Sequence, residues 1–165
     1  MGIGIPHLRP MNIDRNGEID LSVIKYVKIK EGPRLKKGDV LFNNTNSPDL
    51  IGKTALITSN EDFAFSNHMT RLRVPDDISA GFISLQLHYF WMRGYYKYHC
   101  TKHVNQASIS STTLAQKVPI VLPPLNEQIA IVNEIEKQFT RLDAGVAALK
   151  RLQANLKRYR ASVLK

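Results

Sequence analysis

The sequence predicts an α+β fold in which a mixed region of short strands and helices is followed by one long C-terminal helix. Three observations predict it. Short apolar runs broken by Gly, Pro and Asn fill residues 1–122, the pair Pro123-Pro124 ends that region, and residues 127–165 hold no Pro and a single Gly, Gly145. Strand-like and turn-like signals give way to a helical period at the proline pair. The expected organisation is a compact part over residues 1–122 and a helical part over residues 123–165.

Residues 8–13 read as a first strand, and Asn16-Gly17 beyond it is a hairpin turn signal. Lys36-Lys37-Gly38-Asp39 reads as a turn leading into the strand Val40-Leu41-Phe42. The polar run Asn43-Asn44-Thr45-Asn46-Ser47-Pro48 follows as a loop, with a strand over residues 54–58 and another around residues 68–74. Residues 78–94 predict a helix, because Phe82, Leu85, Tyr89 and Met92 fall at helical spacing. Asp76, Asp77 and Ser79 are available to cap its start. Residues 118–122 form a last apolar strand directly before the prolines.

From residue 127 a single helix is expected, with Asn126 as its N-cap and Glu127 complementing the positive end of its dipole. Its 39 residues would span about 58 Å, too long to pack usefully along one small globule. Val132, Ile135, Phe139, Leu142, Val146 and Leu149 repeat at alternating spacings of three and four, a coiled-coil seam. Leu152 and Leu156 continue the seam after a phase slip between Leu149 and Leu152. An amphipathic helix lying on its own domain is the competing reading, and length favours a helical partner. No acidic residue follows Asp143, whereas Lys150, Arg151, Lys157, Arg158, Arg160 and Lys165 do. That excess suits the helix dipole, or a phosphate or acidic-partner surface; both readings stand.

The chain of 165 residues carries 23 basic and 14 acidic side chains, a net charge of +9. Such an excess points to a polyanion, most often nucleic acid. A hydrophobic fraction of 43% is enough to build a core. One cysteine, Cys100, fits a reducing compartment, and no apolar run approaches the ~20 residues of a membrane span. The opening residues lack the basic start and apolar stretch of a secretory signal, so a cytoplasmic location is expected.

Catalytic constellations fail one by one. Gly2-Ile3-Gly4 is a fragment of a dinucleotide fingerprint without its third glycine, and there is no phosphate-binding loop and no nucleophile elbow. His99, Cys100 and His103 offer three zinc-type ligands, but a structural site needs four and no second pair stands at a suitable distance. A Cys100/His103 nucleophilic pair lacks an orienting third group. No metal site and no catalytic residue is therefore expected.

Pro123-Pro124-Leu125-Asn126-Glu127-Gln128, with Ile131-Val132, Ile135-Glu136, Leu142-Asp143 and the ending Arg158-Tyr159-Arg160-Ala161-Ser162-Val163-Leu164-Lys165, resembles the conserved helical spacer of type I restriction–modification specificity subunits. Residues 6–13, Lys37-Gly38-Asp39-Val40-Leu41-Phe42 and residues 103–109 are similar to the family's target-recognition domain. The resemblance implies a non-catalytic subunit that reads a bipartite DNA sequence through recognition domains held apart by antiparallel helices. It further implies methyltransferase partners that carry S-adenosylmethionine, and a separate motor subunit that translocates and cleaves DNA. The chain needs no cofactor of its own on this reading. With one recognition unit and one spacer helix, it is expected to be a half-length or C-terminal piece. Two copies would then pair their long helices antiparallel, as a two-fold contact. The alternative is an assembly fragment whose helix mediates subunit association without independent DNA recognition.

Arg, Asn and Gln read base edges, while Lys and Arg mostly hold phosphates. The candidates for DNA contact are Asn43, Asn44, Thr45, Asn46 and Ser47 with Lys53 just beyond; Lys102, His103, Asn105 and Gln106; Arg9 and Asn12; and Arg71 with Arg73 on one strand face. The run 43–47 reads equally as a simple turn, and Arg71 and Arg73 equally as a solvated face. Tyr95, Tyr96 and Tyr98 are expected to serve packing rather than base stacking.

Overall fold

The computed structural model describes residues 4–28 and 31–164. The expectations for Gly2-Ile3 and for Lys165 lie outside the described residues. The chain divides into two compact units, Met1–Ile129 and Ala130–Lys165.

Among the described residues, the first unit contains three three-stranded sheets. In the first, β1 (Ile5–Leu8) pairs antiparallel with β2 (Lys25–Val27) and parallel with β6 (Ala64–Phe65). In the second, β3 (Val40–Asn43) lies between β5 (Thr54–Leu56) and β7 (Met69–Leu72), antiparallel to both. In the third, β9 (Ala107–Ser108) is central to β4 (Thr45–Asn46) and β8 (Thr101–Lys102). Helices α1 (Ala80–Met92), α2 (Tyr95–His99) and α3 (Ser111–Lys117) complete the unit.

Strand β3 organises the core. Its side chains alternate between faces: Val40 and Phe42 join a cluster with Ile83, Leu87, Tyr96 and Leu114, and Leu41 joins a second cluster with Leu8, Ile13, Phe63 and Met69. A strand buried on both faces reads as a near-continuous apolar run, which is why Val40-Leu41-Phe42 was legible.

Four expectations need correction. The first strand ends at Leu8, because Pro10, which has no N–H, opens a 3-10 turn over Pro10–Asn12. Only Ser79 caps α1, its hydroxyl accepting from the Phe82 N–H at 3.3 Å, while Asp76 and Asp77 stay exposed. Residues 118–122 form no strand. The backbone of Val121 is satisfied instead by the Gln86 amide, which accepts from Val121 N at 2.7 Å and donates to Val121 O at 3.0 Å. The long helix, α4 (Leu125–Val163), begins before Asn126, and the carbonyl of Pro124 receives the N–H groups of Glu127 and Gln128. Asn126 is therefore inside the helix and not its cap. Gln128 is buried, with Oε1 accepting from Ser79 N at 2.9 Å and Nε2 donating to Pro123 O at 2.8 Å. This amide ties the first turn of α4 to the start of α1, so the first unit runs past the proline pair.

The Asn16-Gly17 turn forms, closed by the Ile13–Ile19 bridge and by Asp14 Oδ1, which accepts from the N–H groups of Asn16 and Glu18. It is pinned by His88 of α1. Nδ1 of His88 accepts from Thr54 N at 3.3 Å, and Nε2 lies 3.1 Å from the Arg15 carbonyl oxygen, so Nε2 carries the proton of a neutral ring. Burial pushes His88 below its ordinary value of 6.5, and burial does the same to His7. The unfolded chain therefore binds more protons than the folded one as pH falls below about 6.5. Urea midpoints should be flat above pH 7 and fall between about pH 6.5 and 5, with a shallower fall in His88→Gln. A midpoint that rises on acidification through that window would contradict this arrangement.

Candidate nucleic-acid interface

The side chains proposed from sequence to contact DNA divide into those the fold consumes and those it leaves free. Asn12 is fully buried, with Oδ1 accepting from Arg9 N at 3.0 Å and Nδ2 donating to Asp20 O at 2.9 Å. Arg9 itself donates from Nη2 to Val23 O at 3.0 Å. Asn43 is fully buried and donates to Leu50 O at 3.0 Å. Lys53 is also buried, its Nζ donating to Ile13 O. Burial pushes its ammonium below the ordinary lysine value, while the nearby Asp14 carboxylate works the other way. Asn12, Asn43 and Lys53 hold the fold and cannot reach a duplex from these positions, which corrects the expectation for all three.

The two strand arginines are likewise engaged. Arg73 grips Asp39 in a bidentate pair, Nε–Oδ1 2.7 Å and Nη2–Oδ2 2.8 Å, and Asp39 Oδ2 also accepts from Lys36 N at 2.8 Å. Burial alone would raise the Asp39 carboxyl; the bonds from Arg73 and Lys36 outweigh it and hold the group below the usual range. Arg71 donates to Arg34 O at 2.8 Å and lies 6.0 Å from the centroid of the Phe65 ring. Arg73 is therefore committed to a buried carboxylate rather than held in reserve for phosphate.

The loop expected over residues 43–47 is partly strand. Asn44 donates to Thr70 Oγ1 at 2.9 Å and accepts from the Thr45 hydroxyl, and Asn46 Oδ1 accepts from Ser47 N at 2.8 Å. Thr45 and Asn46 form β4, the edge of the third sheet, where Thr45 stands opposite Ser108 and Asn46 opposite Ala107.

On the other side of β9 stands β8, so β8 and β9 make a hairpin whose tip is residues 103–106. The fold thus brings two stretches that lie far apart in sequence, 45–46 and 101–106, into one small sheet. The tip is closed by His103 N donating to Gln106 O at 2.7 Å, and the His103 ring meets Ser108 Oγ at 3.0 Å. Thr45, Ser108 and Thr101 align across the three strands and share a face. The opposite face carries the buried Ala107, so the row of three hydroxyls is the outer one. Lys102, His103, Asn105 and Gln106 are all exposed, and Val104 between them is 98% exposed. Sequence reasoning missed Thr101, Val104 and Ser108; alternation around the tip was the available signal.

Of the three tyrosines just upstream, Tyr95 and Tyr96 serve packing as expected, and Tyr98, 84% exposed, does not. Tyr96 is buried, edge-on to Phe42 at 5.3 Å, and its hydroxyl donates to Leu87 O. Tyr95 stacks on His99 at 3.9 Å and donates to Lys117 O, whereas Tyr98 is exposed. Among the described residues no group of three or more His, Cys, Asp or Glu is placed to hold a metal ion. No described helix is long and apolar enough to cross a membrane.

The second unit is helical from Ala130 to Val163 and is unbroken through the phase slip between Leu149 and Leu152. Val132 and Ile135 are half-buried, and Phe139, Leu142, Val146, Leu149, Leu152 and Leu156 are exposed. These side chains form an apolar stripe exposed on the single chain. Charge along α4 is uneven: its first half carries Glu127, Glu134, Glu136 and Asp143 against Lys137 and Arg141, and its second carries Lys150, Arg151, Lys157, Arg158 and Arg160 with no acid.

Residues 3–158 match the family model described as type I restriction modification DNA specificity domain. The chain is similar to the specificity subunit of the type I restriction enzyme MjaX from Methanocaldococcus jannaschii, 34% identical over 133 residues, covering 76% of this chain and 31% of that protein. It is also similar to the type I restriction enzyme EcoKI specificity subunit of Escherichia coli K12, 27% identical over 150 residues, 86% of this chain and 32% of that one. The chain spans about a third of the length of these curated relatives. In fold it resembles the HsdS subunit from Thermoanaerobacter tengcongensis, with a TM-score of 0.65 at 20% identity over 93% of this chain and 39% of that chain. A chain from a structure on complex assembly and conformational transition of the type I R-M system gives a TM-score of 0.66 at 20% identity, over 95% of this chain and 40% of that chain.

Proposed function

Because the chain belongs to the type I restriction–modification DNA specificity family, we propose that its first unit reads one half of a bipartite DNA target through the β8–β9 hairpin. The carrying observation is that Lys102, His103, Asn105 and Gln106 converge on an exposed tip. Asn105 and Gln106 have the paired donor and acceptor that adenine edges require, and Lys102 suits a phosphate. The chain performs no chemistry. S-adenosylmethionine and methyl transfer belong to a methyltransferase partner, and cleavage to a motor subunit reached through it, in the cytoplasm.

The helix α4 pairs through its apolar stripe with the same helix of a second copy. Antiparallel pairing sets the acidic half of one helix against the basic half of the other, whereas parallel pairing sets like charges together. A rebuilt pair then presents two hairpins to a two-part target.

Duplex binding by the chain assembled with a methyltransferase subunit should fall about 10³-fold between 50 and 200 mM salt, if about six phosphates are neutralised. Lys102→Ala should weaken all duplexes alike and reduce the salt slope by about one, whereas Gln106→Ala should relax selection at one base pair by about 1–3 kcal/mol. Unchanged binding and methylation in both variants would instead favour the assembly-fragment reading, which the length of exposed apolar helix supports.

A further inference from the structure

We propose that Val104, at the tip of the hairpin, is a specificity-determining residue that packs on the 5-methyl group of a thymine in the major groove. This inference rests on the DNA-reading role of the hairpin and adds to it the kind of base feature read at one position.

Val104 is out of place by ordinary rules. Tight connections favour Gly, Asn, Asp and Ser, and a β-branched apolar residue gains nothing there by propensity. The tip adopts no left-handed conformation, since no described non-glycine residue has positive φ. Val104 is 98% exposed, so it contributes nothing to the core. It stands between His103 and Asn105, with Lys102 and Gln106 one position further out. An apolar group surrounded by groups suited to phosphates and base edges has to meet an apolar feature of the same surface.

DNA offers one. The major groove, about 12 Å wide, admits a two-stranded ribbon, and the thymine methyl is the sole apolar group on its floor; the minor groove has none. Residues inserted as wedges between base steps are larger, typically Phe, Leu, Ile or Met, and the short branched Val104 would fill such a step poorly. A protein-binding tip would favour Trp, Tyr or Arg, and valine is under-represented at such hot spots. The Thr101 hydroxyl lies behind the tip on the outer face of the sheet, where it can donate to a phosphate oxygen flanking the groove, whereas the hydroxyls of Thr45 and Ser108 are engaged by Asn44 and His103.

The test begins with the full chain plus a methyltransferase subunit, selecting bound duplexes from a randomised pool. Each thymine of the selected duplex is then replaced by deoxyuridine, which removes the 5-methyl group and leaves every hydrogen-bonding atom in place. At one position the replacement should weaken wild-type binding about threefold to fivefold, the worth of one buried methyl-sized group. Val104→Ala should lose most of that sensitivity there while keeping its sensitivity to other base changes. As Val104 touches no core, the variant should melt at the wild-type temperature. The inference is overturned if no thymine is sensitive, if Val104→Ala retains the full deoxyuridine effect, or if it weakens random and selected duplexes equally. A pool in which wild type enriches nothing, or enriches sequences bound equally by a Lys102→Ala/Gln106→Ala double variant, overturns the hairpin reading itself and this inference with it.

Discussion

Gly52→Ala is expected to destabilise the first unit by about 3–5 kcal/mol, the largest effect of any single methyl addition in it. Gly52 has φ of +92°, a conformation that costs a residue with a Cβ about 1–2 kcal/mol. A Cβ built there lies 2.0 Å from Tyr96 Cδ2 and 2.6 Å from Cγ. Tyr96 cannot retreat, since it is buried against Phe42 and its hydroxyl is bonded to the Leu87 carbonyl. Gly52 N also donates to Asn43 O at 2.9 Å, and Gly52 O accepts from Thr54 Oγ1 at 3.0 Å, so the backbone is held from both sides. Thermal unfolding should move down by about 10 °C or more. A Tyr96→Ala/Gly52→Ala double variant should lose much less than the sum of the single losses, because the clash is shared. Additive losses would mean that the two residues do not press on each other.

Leu149→Lys is expected to abolish helix-mediated association, weakening it by at least about a hundredfold. Leu149 is 67% exposed in the single chain, so the free protein tolerates a charge there without loss of fold. In a paired helix the same ammonium would be buried without a partner. Leu142→Lys should act alike, whereas Ala154→Lys, outside the stripe, should leave the sedimentation mass of the assembly unchanged. Helix content by circular dichroism separates loss of pairing from loss of helix. If both stripe variants sediment like the parent and bind partners equally well, the stripe is not the contact.

Burial and hydrogen bonding decide which parts of the fold were visible in the residues alone. The run Val40-Leu41-Phe42 betrayed its strand because both faces are buried, and the long helix betrayed itself by period and by the prolines that precede it. Strand β4 stayed hidden, since Thr45 and Asn46 are polar and their partners, Ser108 and Ala107, lie far along the chain. Helix α3 hid because it buries a single side chain, Leu114, and so leaves no period. Residues 118–122 misled in the opposite sense: they are apolar, but their hydrogen-bonding partner is the side chain of Gln86 and not a strand.

The candidate surface was half legible for a related reason. Residue type says that Asn and Lys can bind DNA, but not whether the fold has already used their bonds. Asn12, Asn43 and Lys53 satisfy backbone groups of Asp20, Leu50 and Ile13, partners that no local pattern announces. Lys102, Asn105 and Gln106 stay unspent because a hairpin tip offers no backbone for them to satisfy. Gln128 shows the reverse, a polar residue within a family-like segment whose role is to join two helix starts.

Since the tip of the β8–β9 hairpin carries none of the packing, its side chains are free to mutate while the scaffold beneath stays untouched. On the proposed DNA-reading role, preference for one DNA word over another can then drift, or be re-engineered by exchanging residues 103–106, at almost no penalty in foldedness. A library randomised at those few positions would be populated largely by intact proteins with altered tastes.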